Sequence, residues 1–137
     1  MQRYVQVVNP AVGDGLSNLL LASGILAKRH MTLSQWRGLY TALPSRLSKL
    51  QVRDRLLLST TCMDTRLEAP QDLQREINTA VLKVEAGRAF VRPSRTQDVV
   101  RVYAEALTQS QADVLALQVL QAVHRLAGGV GELPTAV

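Results

Sequence analysis

A chain of 137 residues has room for one ordinary domain, or for one smaller domain beside a remnant of another. Its 47% hydrophobic and 20% charged residues exclude a disordered tail and are enough to build a core. The net charge of +5 suits an anionic partner and lies in the first half, where residues 1–69 hold nine Lys/Arg against four Asp/Glu, while residues 70–137 hold seven against seven.

Residues 4–8, Tyr-Val-Gln-Val-Val, predict a short strand closed by the turn Asn9-Pro10. Asp14 or Gly15 then caps a helix carrying Leu16, Leu19, Leu20, Leu26 and Ala27 on one face. This apolar stretch is about a dozen residues, short of the roughly 20 a bilayer span needs, so it reads as a buried helix with no membrane partner. Thr32 and Gln35 match a capping box for a second helix, with Trp36, Leu39, Tyr40 and Leu43 as its stripe and Pro44 as its stop.

From residue 45 the chain turns basic, with Arg46, Lys49, Arg53 and Arg55, and Leu56-Leu57-Leu58-Ser59-Thr60-Thr61 reads as a strand entered from a polar loop. Pro70 suits the first turn of a helix bearing Leu73, Ile77, Ala80, Val81 and Val84, with Gly87 as its C-cap. Residues 88–91 form a strand and 92–98 a loop. Residues 99–106 alternate, Val100, Val102, Ala104 and Ala106 opposite Val99, Arg101, Tyr103 and Glu105. Ser110 and Asp113 read as the N-terminal box of a last helix with Ala112, Ala116, Val119, Val123 and Leu126 on one stripe, ended by Gly128-Gly129.

This order predicts an α+β fold, a small sheet with helices packed on one face, preceded by a helical segment. The expected boundary lies near Pro44-Ser45, dividing residues 1–44 from 45–137. Cys62 has no second cysteine to pair with, and Met1-Gln2-Arg3-Tyr4 lacks the basic and apolar regions of a signal peptide, so a reducing compartment, the cytoplasm, is the expected home.

The segment from Arg88 to Ala106 carries the chemistry. Arg92, Arg95 and Arg101 fall within ten residues of one another, with Ser94, Thr96 and a turn between them. Arginines offer planar, bidentate donors to phosphoryl oxygens, hydroxyls add neutral donors, and turn N–H groups complete a cradle. Pro93 stiffens the entry. The alternation turns Arg101 away from the core and back toward the loop. On spacing alone, three arginines near a hairpin are more often a solvated surface with weak ion pairs to Asp98 or Glu105.

The run at 92–106, Arg-Pro-Ser-Arg-Thr-Gln-Asp-Val-Val-Arg-Val-Tyr-Ala-Glu-Ala, resembles the phosphate-binding loop and following strand of phosphoacetylglucosamine mutases, in the α-D-phosphohexomutase family. Val12-Gly13-Asp14, residues 35–44, Gln51-Val52-Arg53-Asp54-Arg55 and residues 126–132 also look like that C-terminal region, so the resemblance covers nearly the whole chain. It implies a four-domain isomerase, an intramolecular phosphotransferase that interconverts N-acetylglucosamine 6-phosphate and 1-phosphate on the route to UDP-N-acetylglucosamine. Such an enzyme works through an active-site serine and Mg²⁺ held by an aspartate-rich loop. Residues 1–44 are then the end of the third domain and 45–137 the fourth, whose loop holds the phosphate that is not reacting. The implied phosphate-binding residues are Arg92, Pro93, Ser94, Arg95, Thr96 and Arg101; no catalytic residue and no metal site is expected in this chain, which alone would be inactive. The implied partners are a phosphorylated amino sugar and the remaining domains.

The chain departs from the family pattern at Arg95, where glycine is usual, and at Gln97, where glutamate is usual. Glycine permits positive φ and close backbone approach to phosphate, so Arg95 is expected to weaken the cradle through strain and bulk, unless its charge compensates. Gly13-Asp14-Gly15 offers one carboxylate, too few for Mg²⁺, and reads as a helix cap. His30 and His124 lack a second ligand at metal spacing, and Cys62 lacks an activating histidine. The basic group at 46–55 has no interleaved aromatic residues, which argues against nucleic acid. The competing reading is a truncated, non-catalytic module acting through protein interactions. Loss of the missing domains would leave apolar surface exposed on residues 1–44.

Overall fold

The computed structural model describes residues 14–137. The strand expected at 4–8, its turn, and Gly13 lie outside the described residues. The chain divides into two compact units, Met1–Ala42 and Leu43–Val137.

In the first unit, α1 spans Gly15–Arg29. The Asp14 carboxylate caps it, accepting from the Leu16 N–H at 2.9 Å and from Ser17 Oγ at 2.5 Å. His30 closes it in the left-handed conformation, φ 52°. No residue of α1 is buried, and Leu16, Leu19 and Leu20 are 62–66% exposed, so the buried-helix expectation fails for this chain while the exposed apolar surface is present. Helix α2 is only Leu33–Arg37, with the Thr32 and Gln35 capping box formed on both sides. It ends at Gly38, before Pro44: a five-residue helix with no buried face has no packing to carry it past a poor helix former. Leu39 and Tyr40 therefore lie outside the helix and exposed.

The second unit opens with β1, Ser45–Gln51, where a polar loop was expected. Arg55–Leu57 form a 3₁₀ turn capped by Asp54, so the expected strand over the leucines shrinks to β2, Ser59–Thr61. It pairs antiparallel with β3, Arg66–Ala69. Helix α3, Gln71–Leu82, follows directly after Pro70 and buries Leu73 and Ile77. It ends at Lys83, so Gly87 is not its cap. Gly87 is required by proximity instead, since a Cβ there would lie 2.9 Å from the Val84 carbonyl oxygen and 3.0 Å from that of Val81.

Strands β4, Arg88–Pro93, and β5, Val99–Glu105, join β1 in an antiparallel sheet ordered β1-β5-β4. Helix α4, Gln109–Leu126, completes the core. Val100, Val102, Ala104, Val91 and Leu50 from the sheet meet Leu115, Ala116, Val119, Leu120 and Val123 of α4 and Leu73 and Ile77 of α3. Burying both helices against one face leaves the other face of the sheet for the site.

The cap of α4 is Thr108, whose hydroxyl accepts from the Gln111 N–H, and not Ser110 with Asp113. Asp113 instead takes Arg46 Nε of β1 at 2.7 Å. Thr108→Ala is expected to cost about 1 kcal/mol in urea unfolding, and Ser110→Ala under about 0.5 kcal/mol. After α4, Gly128 turns with φ 68°, and Val130 N–H reaches the Gln51 carbonyl at 2.9 Å, tying the segment that follows to the end of β1.

Candidate phosphate-binding site

Register assembles the site. On the face away from the helices, Lys49 of β1 stands opposite Arg101 of β5, which stands opposite Arg92 of β4. All three side chains are exposed. Like charges placed directly across a sheet destabilise it, so a row of three cations is a cost that an anion would relieve. The next row along the strands is apolar: Leu47, Tyr103 and Phe90, the two rings stacked with centroids 4.9 Å apart.

The loop lies at the end of the cationic row. Ser94 N–H donates to the Val99 carbonyl at 2.8 Å, Val99 N–H to the Gln97 carbonyl at 2.8 Å, and Thr96 N–H to Ser94 Oγ at 3.4 Å. The N–H groups of Arg95, Gln97 and Asp98 have no acceptor among the described residues. Arg95 is not among the residues with positive φ, so the backbone strain expected of it is absent.

Neither carboxylate named as a surface partner takes a loop arginine. Asp98 faces Arg55, with Arg55 Nη1 at 3.4 Å, and its carbonyl accepts from Val52 N–H. Glu105 takes Arg88 Nε at 2.8 Å and accepts from the Tyr103 hydroxyl at 2.5 Å. Arg101 and Lys49 form no ion pair among the described residues.

Arg92 has a partner that sequence reasoning missed. Its Nε lies 3.1 Å from Asp64 Oδ2, and Thr60 Oγ1 donates to Asp64 Oδ1 at 2.6 Å. The Thr60 hydrogen bond, with Arg92 and Arg95 nearby, holds the Asp64 carboxyl below its usual value. Nothing local flags Asp64, 28 positions before Arg92; only the β2–β3 hairpin brings it there. Lys49 was missed because β1 was.

A depressed folded pKa means that Asp64 stabilises the fold above its unfolded value, near 3.9, and loses that contribution as pH falls through the lower folded value. An NMR titration of its carboxyl is expected to show a midpoint below about 3.9, moving up in Thr60→Val. A midpoint unmoved by that change would contradict the assignment.

Two surface concavities, one beside β3 and α3 and one between α3 and α4, include no loop residue. The loop is open to solvent, with Arg95, Thr96, Gln97 and Asp98 exposed. Among the described residues no three His, Cys, Asp or Glu side chains gather as a metal site. No helix among them is long and apolar enough to cross a membrane.

The family model for the phosphoglucomutase/phosphomannomutase C-terminal domain matches residues 50–122, from the end of β1 into α4 and including the whole loop. The chain belongs to this family. Within it, the chain is 48% identical over 134 residues to the phosphoacetylglucosamine mutase of Homo sapiens, covering 98% of this chain and 25% of that protein. It is likewise 48% identical over 134 residues to the Sus scrofa enzyme, with the same coverage. A crystal structure of Aspergillus fumigatus N-acetylphosphoglucosamine mutase with GlcNAc-6P and magnesium superposes with a TM-score of 0.77 at 40% identity, covering 92% of this chain and 24% of that one. The chain thus spans about a quarter of the length of these relatives. The small sheet with helices on one face is the C-terminal domain fold of the family.

Proposed function

We propose that residues 92–101 hold the non-reacting phosphate of a phosphorylated N-acetylglucosamine while its other end undergoes phosphoryl transfer between the 6- and 1-positions. The observation that carries this reading is the row Lys49, Arg101 and Arg92, left without Asp98 or Glu105 beside a loop with unpaired N–H groups. Arg92 and Arg101 supply charge-assisted bonds, Ser94 and Thr96 hydroxyl donors, Pro93 the rigid entry, and the loop N–H groups the rest. Fixing a remote phosphate lowers the entropic cost of aligning the reacting group, so the site serves catalysis by positioning.

The relatives' remaining three quarters would supply the phosphoserine and the Mg²⁺ loop, so this chain alone is read as inactive. Residues 1–44 are read as the end of a third domain and 45–137 as the fourth. The exposed leucines of α1 are read as surface that meets the rest of a cytoplasmic enzyme. Calorimetry tests the binding: N-acetylglucosamine 6-phosphate is expected to bind and unphosphorylated N-acetylglucosamine not to. Equal binding of both would reject a phosphate site.

Arg95 is read as a compensating charge, because its backbone is unstrained and its guanidinium lies near enough to act on Asp64. Arg95→Gly is then expected to weaken phosphate binding a few-fold at low salt, the difference fading as the Debye length falls to about 3 Å near 1 M. Tighter binding in the glycine variant would instead identify Arg95 as an obstruction.

A further inference from the structure

Asp64 sits in an unusual turn. Cys62, Met63 and Asp64 have φ of 53°, 57° and 63°, three consecutive non-glycine residues in the left-handed region. Each such residue costs about 1–2 kcal/mol, and such strain persists where the surroundings over-determine it. Here the surroundings are specific. The strained turn delivers one carboxylate to Arg92, where Thr60 Oγ1 donates to one oxygen and the other forms an ion pair with Arg92, 3.1 Å from its Nε. A negative group next to a cationic row would, by charge alone, oppose any anion that binds there.

We propose that Asp64 is a positioning residue for the phosphate site, holding Arg92 through Nε so that the Nη1 and Nη2 edge of the guanidinium is presented to a phosphoryl group. This rests on the phosphate-binding reading above. A guanidinium has five N–H donors, and an ion pair on the Nε side leaves the four of the outer edge for a bidentate contact. A half-exposed arginine otherwise has to be ordered at the moment of binding, which costs rotamer entropy. With Asp64 in place that cost is met on folding.

The two roles of a carboxylate here differ in sign. If Asp64 only balances charge, its removal tightens phosphate binding; if it positions Arg92, removal weakens it. Asp64→Gly and Asp64→Asn both suit a left-handed backbone, so the hairpin survives in each. The asparagine keeps an oxygen that can accept from Arg92 Nε; the glycine keeps nothing. Titration of the full chain with inorganic phosphate and with N-acetylglucosamine 6-phosphate is expected to give about three- to tenfold weaker binding for Asp64→Gly, part of the entropy of fully ordering an arginine. Asp64→Asn is expected to retain part of the affinity. The Arg92 side-chain resonances should shift in Asp64→Gly, as expected for loss of the ion pair. Equal or tighter phosphate binding by Asp64→Gly would overturn the proposal while leaving the phosphate site standing. If inorganic phosphate moved no resonance at 92–101 of the native chain, the phosphate reading itself would fail, and this inference with it.

Discussion

Replacing Arg101 by alanine is expected to weaken N-acetylglucosamine 6-phosphate binding by about 10- to 100-fold without destabilising the fold. A hydrogen bond to a charged group contributes about 1.5–3 kcal/mol, and each 1.4 kcal/mol is tenfold in affinity. Arg101 is the middle cation of its row, between Lys49 and Arg92, and forms no ion pair among the described residues. Its inward neighbours Val100 and Val102 are fully buried, so the strand is fixed by them and not by Arg101. Removing one of three facing cations relieves repulsion. Urea unfolding should therefore show equal or slightly greater stability alongside the loss of binding. Unchanged affinity would remove Arg101 from the site, and a large loss of stability would mean that it is structural.

The largest expected effect on stability is at Leu115. This residue of α4 is fully buried in the cluster that joins both helices to the sheet. Leu115→Ala is expected to cost about 2–5 kcal/mol, the transfer term plus the cavity left behind. Such a loss is a large share of the stability of a domain this size. Val114, its neighbour in sequence, is 51% exposed, and Val114→Ala should change stability by under about 0.5 kcal/mol. In urea the Leu115→Ala midpoint should fall with little change in slope. Equal effects at the two positions would contradict the placement of the core.

Much of this fold can be read along the chain, because its core faces follow simple periods. The alternation of 99–106 predicted which side of β5 is buried, and the stripes on α3 and α4 predicted Leu73, Ile77, Ala112, Ala116, Val119 and Val123. Strand β1 was illegible for a physical reason. Its inward positions include Arg46 and Ser48 as well as Leu50, so polarity does not alternate, and Arg46 is accommodated only because Asp113 of α4 receives it from 67 positions away. The leucines at 56–58 misled in the opposite way, since Leu56 and Leu57 are exposed in a 3₁₀ turn and only Leu58 is buried.

The same division holds for the site. The loop's arginines and hydroxyls are neighbours in sequence, whereas Lys49 and Asp64 come near them only through strand register and a hairpin. Where Asp98 and Glu105 turn is set by tertiary contacts that the sequence does not reveal. They turn to Arg55 and Arg88.

The central claim is tested most directly by backbone amide shifts of the chain during titration with N-acetylglucosamine 6-phosphate. The account predicts saturable shifts confined to residues 92–101, Lys49 and the turn bearing Asp64, with none at the concavity between α3 and α4. Shifts centred elsewhere, or none at millimolar ligand, would contradict it.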